Sequence, residues 1–202
     1  MPQSHHMKIL YLGDVVGRSG RDAVLAAIPQ YRDRLSLDFV VVNGENAAGG
    51  FGITEDICEA LFDAGVDVIT GGNHTWDQQN IVSYLDSQPR LLRPINHVPG
   101  TPGTGSAIYS ASNGRKVMVI NAMGQVFMSP IDNPFTAVDH TLKSVRLGSS
   151  VDVILLDFHA EATSEKMAMG HFLDGRPASG ISHVFSQLIF VLDDFLGHSF
   201  IP

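Results

Sequence analysis

The sequence predicts an α/β domain, on three observations. Four short apolar runs, Met7–Leu12, Phe39–Val42, Val66–Thr70 and Val151–Leu156, have the length and β-branched content of buried strands. Stretches with helical periodicity lie between them, which makes neighbouring strands parallel and covers the sheet on both faces. Midway, Asn113-Gly114 between two apolar runs signals a hairpin, so the sheet is mixed or a second sheet exists.

In order along the chain, Lys8–Leu12 reads as the first strand. Asp22–Arg32 follows as a helix with Val24, Leu25, Ala27 and Ile28 on one stripe, and Pro29 is expected to end or kink it. Phe39–Val42 is strand two. Thr54 is placed to cap a helix carrying Ile57, Leu61 and Phe62, and Gly65 closes that helix before strand three, Val66–Thr70. Asp77–Leu85 is a weaker helix. Ala107–Ser110 and Lys116–Asn121 form the hairpin arms. Met123–Pro134 is a loop with Pro130 and Pro134 as breakers, and Thr136–Val145 is helical. Val151–Leu156 is a further strand, and Ser164–Phe172 a helix capped by Ser164 or Thr163.

The 202 residues imply one domain, and 44% apolar content allows a sizeable core. A formal charge of −8 disfavours a broad grip on nucleic acid, while a small anion remains compatible if a metal supplies local positive charge. A single cysteine, Cys58, makes no internal disulfide and fits a cytoplasmic setting. No run has the ~20 apolar residues of a membrane span. Residues 1–6, with His5 and His6, read as an extension or tag remnant, 7–176 as the domain and 177–202 as a divergent tail.

Each apolar run stops at residues that bind hard cations. In an open α/β sheet, ligands gather beyond the carboxyl ends of the strands. Asp14 offers a carboxylate after strand one. Glu45 can bridge two cations through its two oxygens, with the Asn46 amide beside it. Gly49, Gly50 and Gly52 then let the backbone pass close to a ligand. Asn73 offers an amide oxygen and His74 an imidazole able to donate a proton near neutral pH. His159 suits a first-row metal, and Asp157 either orients it or faces elsewhere. Arg18 and Arg21 read as solvated helix-entry charges, Glu161 and Glu165 as helix-entry charges that favour the dipole, and Trp76 as a packing residue or pocket wall. The segment Gly13–Gly20 lacks both nucleotide-loop glycine patterns, which excludes a P-loop. Together the set describes a dinuclear phosphoesterase, in which a metal-bridging hydroxide attacks phosphorus and a histidine protonates the leaving oxygen.

Gly13-Asp14-Val15-Val16-Gly17, Asn43-Gly44-Glu45-Asn46-Ala47-Ala48, Gly72-Asn73-His74-Thr75-Trp76-Asp77 and Asp157-Phe158-His159-Ala160-Glu161-Ala162-Thr163-Ser164-Glu165-Lys166 occur in that order. They resemble the YmdB-like branch of the calcineurin-like metallophosphoesterases, over about Met7 to Arg176. The resemblance implies a calcineurin-like four-layer α/β/β/α sandwich with mixed sheets, incomplete at the C-terminus. It implies hydrolysis of small phosphodiesters, notably 2′,3′-cyclic nucleotides, with two divalent or mixed-valence metal ions, iron or manganese first and zinc after them. By the same resemblance Asp14 and Asn46 bind one metal, Asn73 and His159 the other, Glu45 bridges, and His74 is catalytic. Val16 stands where the wider superfamily has a histidine.

The resemblance breaks after Asp174-Gly175-Arg176. There the family continues to a strand ending in Gly-Thr-His-Thr-His, whose histidines complete the metal shells. This sequence reads Pro177-Ala178-Ser179-Gly180-Ile181-Ser182-His183-Val184 and has no His-x-His, so His183 is the one nearby substitute ligand. An unpaired sheet edge is then expected, which a homo-oligomer would cover. The alternative reading is a catalytically impaired relative that binds metal or nucleotide, or regulates. A flavodoxin-like signalling module explains the sheet but not Glu45, Asn73 and His159 together.

Overall fold

Alternation along the strands decides the layers. The computed structural model describes residues 7–174 in full and, beyond them, the backbone of 181–185 and 190–192. One sheet contains β1 (Ile9–Leu12), β2 (Phe39–Asn43), β3 (Val68–Thr70), β4 (Leu91–Leu92) and β9 (Phe190–Leu192) in the order β4-β3-β2-β1-β9. The other holds β5 (Ser106–Ser110), β6 (Lys116–Met123), β7 (Val153–His159) and β8 (Ile181–Phe185) in the order β5-β6-β7-β8. Pairing is parallel except for β1 with β9 and β5 with β6. The expected mixed sheets are present, and there are two of them. Within the segment 177–202, β8 and β9 add an edge strand to each sheet.

Successive strand residues point to opposite faces, and here both faces are covered. Leu10, Leu12, Val40, Val42 and Ile69 face helices α1 (Gly17–Leu35), α2 (Glu55–Asp63) and α3 (Ile81–Ser87). Met118, Ile120, Ile154, Leu156 and Phe158 face α4 (Pro134–Leu142) and α5 (Thr163–Leu173). The alternate residues Ile9, Phe39, Val41, Val68, Val117, Val119 and Leu155 meet between the sheets. Three apolar interfaces give the four layers α/β/β/α. Among the described residues no helix is long and apolar enough to cross a membrane.

The middle layer changes character along the strands. At the carboxyl ends the same inward positions hold Tyr11, Asn43, Thr70, Asn121 and Asp157, all buried. This polar floor lies under the loops that carry the expected ligands.

Several elements depart from expectation. Pro29 does not end α1, which runs on to Leu35. A lost backbone hydrogen bond there is outweighed by packing, because Val24, Leu25, Ile28, Tyr31 and Leu35 all lie on the first core. α3 begins at Ile81 rather than Asp77, since Asp77 turns back to hydrogen-bond His74. Pro134 is the first residue of α4 instead of a breaker, and Asn133 caps it by accepting from the amides of Phe135 at 2.9 Å and Thr136 at 3.1 Å. α5 has no side-chain cap; Thr163 is already inside it. Glu165 is buried and accepts from the amides of Gln125 at 2.8 Å and Val126 at 3.2 Å, fixing the loop after β6. Arg21 is not simply solvated, because its guanidinium donates to the Ala47 carbonyl. As predicted, Thr54 caps α2 and Asn113-Gly114 turns the hairpin.

Asn133→Ala removes an acceptor for two otherwise unpaired amides. We expect a loss of about 1 kcal/mol, read as a lower urea midpoint at unchanged slope.

Candidate metal centre

Four strand ends meet at one edge of the sandwich. Asp14 follows β1, Glu45 and Asn46 follow β2, Asn73 and His74 follow β3, and His159 is the last residue of β7. One ligand atom each from Asp14, Glu45 and His159 lie within 4.8 Å of one another. Glu45 is the hub and is only 2% exposed. Its Oε1 lies 3.0 Å from His159 Nε2 and accepts from Asn46 Nδ2 at 3.1 Å. Its Oε2 accepts from the His74 backbone amide at 3.3 Å. Asn73 Oδ1 faces the same His159 Nε2 at 2.8 Å.

These donors suit a first-row divalent cation: carboxylate and amide oxygens with one imidazole, already facing one another. The charge balance says the same. Burial opposes a proton on His159, but the carboxylates of Glu45, Asp14 and Asp157, Glu45 foremost, together outweigh it and hold the imidazole above its ordinary pKa. A buried carboxylate seeks a positive partner, and a cation would serve better than imidazolium. Asn46 points Nδ2 at Glu45, so ligation by its oxygen requires the amide to turn over.

The backbone approach is close. A Cβ on Gly72 would fall on the Glu45 carboxylate and 2.8 Å from His159 Cδ2, so β3 exits past these side chains only because that residue is glycine.

Beneath these side chains, Asp157 ties the sheets together. Its Oδ1 accepts from the Tyr11 hydroxyl and its Oδ2 from Asn43 Nδ2, both at 3.0 Å. Asp157 shares a face with His159, yet its two oxygens are engaged by Tyr11 of β1 and Asn43 of β2 rather than by that imidazole. Burial pushes its pKa up to about 6, against the pull of hydrogen bonds from Thr70 and Asn43 and of the His159 charge. Asn43 Oδ1 accepts from the Glu45 amide at 3.2 Å, which shapes the turn that presents Glu45. Asn121 Oδ1 accepts from the Gly71 amide at 3.2 Å, and Thr75 Oγ1 from the Gly72 amide at 3.0 Å. These contacts fix the exit of β3.

His74 stands at the outer side. Its Nδ1 lies 2.6 Å from Asp77 Oδ2, and its ring packs edge-on with Phe51, centroids 4.9 Å apart. A small cleft beside His159 is lined by Asp14, Asp157, Glu161 and Lys166 among others. Trp76 is half-buried on the first core, edge-on to His97 at 4.3 Å, in keeping with a packing role. The His183 side chain lies outside the described residues. Its backbone pairs with Leu155, four residues before the strand end that carries His159.

Comparison with known proteins agrees with this fold. The profile of the YmdB-like protein family matches residues 10–183. The chain belongs to the YmdB-like family. It is 44% identical over 173 residues to the 2′,3′-cyclic-nucleotide 2′-phosphodiesterase of Bacillus subtilis, covering 86% of this chain and 64% of that one. A hypothetical protein from Thermus thermophilus superposes with a TM-score of 0.79 at 41% identity, covering 88% of this chain and 66% of that one. A phosphatase from Mycoplasma pneumoniae superposes with a TM-score of 0.76 at 32% identity, covering 85% and 61%. This YmdB-like chain therefore spans less than two thirds of the length of these relatives.

Sequence reading missed Asp77 as the partner of His74, although a carboxylate three residues after a histidine is a visible signal. It also missed Tyr11, Asn43 and Asn121, which look like ordinary strand residues until the second sheet arrives.

Asp157→Ala would remove the buried acceptor of the Tyr11 hydroxyl and one of the two acceptors of Asn43 Nδ2, which keeps the Gly71 carbonyl at 3.1 Å. We expect a loss of about 3 kcal/mol by urea unfolding, and less for Asp157→Asn, which keeps one acceptor.

Proposed function

We propose that the chain is a metal-dependent phosphodiesterase acting on small phosphodiesters such as 2′,3′-cyclic nucleotides. The observation that carries this reading is the convergence of Asp14, Glu45 and His159, with Asn73 Oδ1 on the same imidazole nitrogen. The name of the Bacillus subtilis relative supports the substrate class.

In this reading Asp14 and Asn46 would hold one cation, Asn73 and His159 a second, and Glu45 would serve both. Iron or manganese suits the donors, with zinc next. When bound, such cations supply Lewis acidity toward phosphoryl oxygens and make water a usable nucleophile at neutral pH. The protein supplies position and protons. His74 offers its outer nitrogen, Nε2, because Asp77 engages Nδ1 and so fixes the tautomer and the plane of the ring. In the imidazolium form the proton on Nε2 can pass to the leaving oxygen of the ester, which leaves a neutral ring with its Nδ1–H on Asp77. The bond from the His74 amide to Glu45 ties the acid to the carboxylate hub, so the two keep their spacing.

The test pairs metal content, by elemental mass spectrometry, with turnover of 2′,3′-cyclic AMP and bis-p-nitrophenyl phosphate in added manganese. Metal bound and both esters hydrolysed is the expected result. Asp14→Ala and Glu45→Ala should lose turnover and metal together; full activity in Glu45→Ala protein would sink the assignment. His74→Ala should keep its metal while turnover falls about a hundredfold or more. An equal loss of both would make His74 a ligand.

A further inference from the structure

Phe51 is a large apolar side chain that is 59% exposed, and it sits beside His74. A single exposed apolar residue is ordinary by itself. This one is held in place. The turn that carries it closes through the Ala48 amide on the Gly52 carbonyl at 2.8 Å, with Gly49, Gly50 and Gly52 at φ of 75°, 104° and 75°. A Cβ on Gly52 would lie 2.9 Å from Gln78 Cγ and 3.2 Å from the His74 carbonyl, so the turn is pressed onto the His74 loop. Gln78 Nε2 donates to the Phe51 carbonyl at 2.7 Å, a second tie to the same loop. The ring meets the His74 ring at 77°, and more than half of the residue stays open to solvent.

An aromatic ring fixed at this place is a stacking surface one step outward from the proposed proton donor. In a nucleoside 2′,3′-cyclic phosphate, the base is separated from the phosphate by one ribose. A protein partner seated on Phe51 would cover His74 and shut out substrate, whereas a base on Phe51 leaves the ester at His74. Resting on the phosphodiesterase reading above, we propose that Phe51 is the platform on which the nucleobase of the substrate stacks, and that it makes the site selective for nucleotides over esters without a base. Stacking of a base on an aromatic side chain is sequence-tolerant, so purines and pyrimidines should both be accepted.

The experiment compares 2′,3′-cyclic AMP with glycerol 1,2-cyclic phosphate, which has the same five-membered cyclic ester and no base. Phe51→Ala should raise KM for cyclic AMP about tenfold and leave kcat and the glycerol ester within about twofold. Phe51→Tyr should restore the parent KM. Equal losses on the two esters would overturn the proposal, because Phe51 would then act only through His74; no change on either would overturn it as well. Binding gives a readout apart from turnover. The parent has one tryptophan, Trp76. Phe51→Trp should add a fluorescence signal quenched saturably by adenosine 3′-monophosphate and not by glycerol 2-phosphate. If the parent hydrolyses neither ester, the phosphodiesterase reading fails, and the quenching alone then decides for or against the platform.

Discussion

A carboxylate buried between two sheets costs several kcal/mol unless it is paired, and Asp157 is such a group. It comes from β7 of one sheet and takes its hydrogen bonds from Tyr11 and Asn43 of the other. Apolar contacts between the sheets are non-directional and would tolerate some sliding. The Asp157 bonds do not, because each needs its donor within hydrogen-bond distance. They therefore set the register of one sheet on the other at the end where Glu45, Asn73 and His159 stand. His159, two residues further along β7, meets Glu45 and Asn73 from β2 and β3 only while that register holds.

The same network passes upward into the site. Asn43 gives one end of its amide to Asp157 and the other to the Glu45 turn. Asn121 and Thr75 hold the two glycines through which β3 leaves the sheet. Three carboxylates, Asp14, Glu45 and Asp157, thus lie close together with His159 as a partner. Such a concentration of negative groups at the closed end of a sandwich is hard to account for by stability. It is well suited to cations, whose charge reverses the electrostatic cost.

How much was legible follows from the range of each signal. Apolar runs, the Asn113-Gly114 turn and the Thr54 cap act within a few residues, and each appears where expected. Pro29 and Pro134 misled because proline is judged by local backbone cost. At Pro29 the core decides against the break, and at Pro134 the missing amide falls on a helix position that needs none. Glu165 misled for the same kind of reason: a helix-entry charge is solvated by default, and only the folded loop after β6 supplies amides to bury it.

The sequence by itself determined the order of strands and helices and which polar residues stand at the strand ends. Strand and helix periods are local, and Asp14, Glu45, Asn46, Asn73, His74 and His159 each follow an apolar run at its carboxyl end. The tertiary structure alone decided which of those groups touch. The pairing of His159 with Glu45 and Asn73 joins residues 86 or more positions apart on different sheets. The part taken by Asp157 was undecidable before folding, since its acceptors are satisfied by Tyr11, 146 residues earlier, and Asn43, 114 residues earlier. Contacts of that span depend on how two sheets stack, and no local pattern encodes the angle or register at which they do.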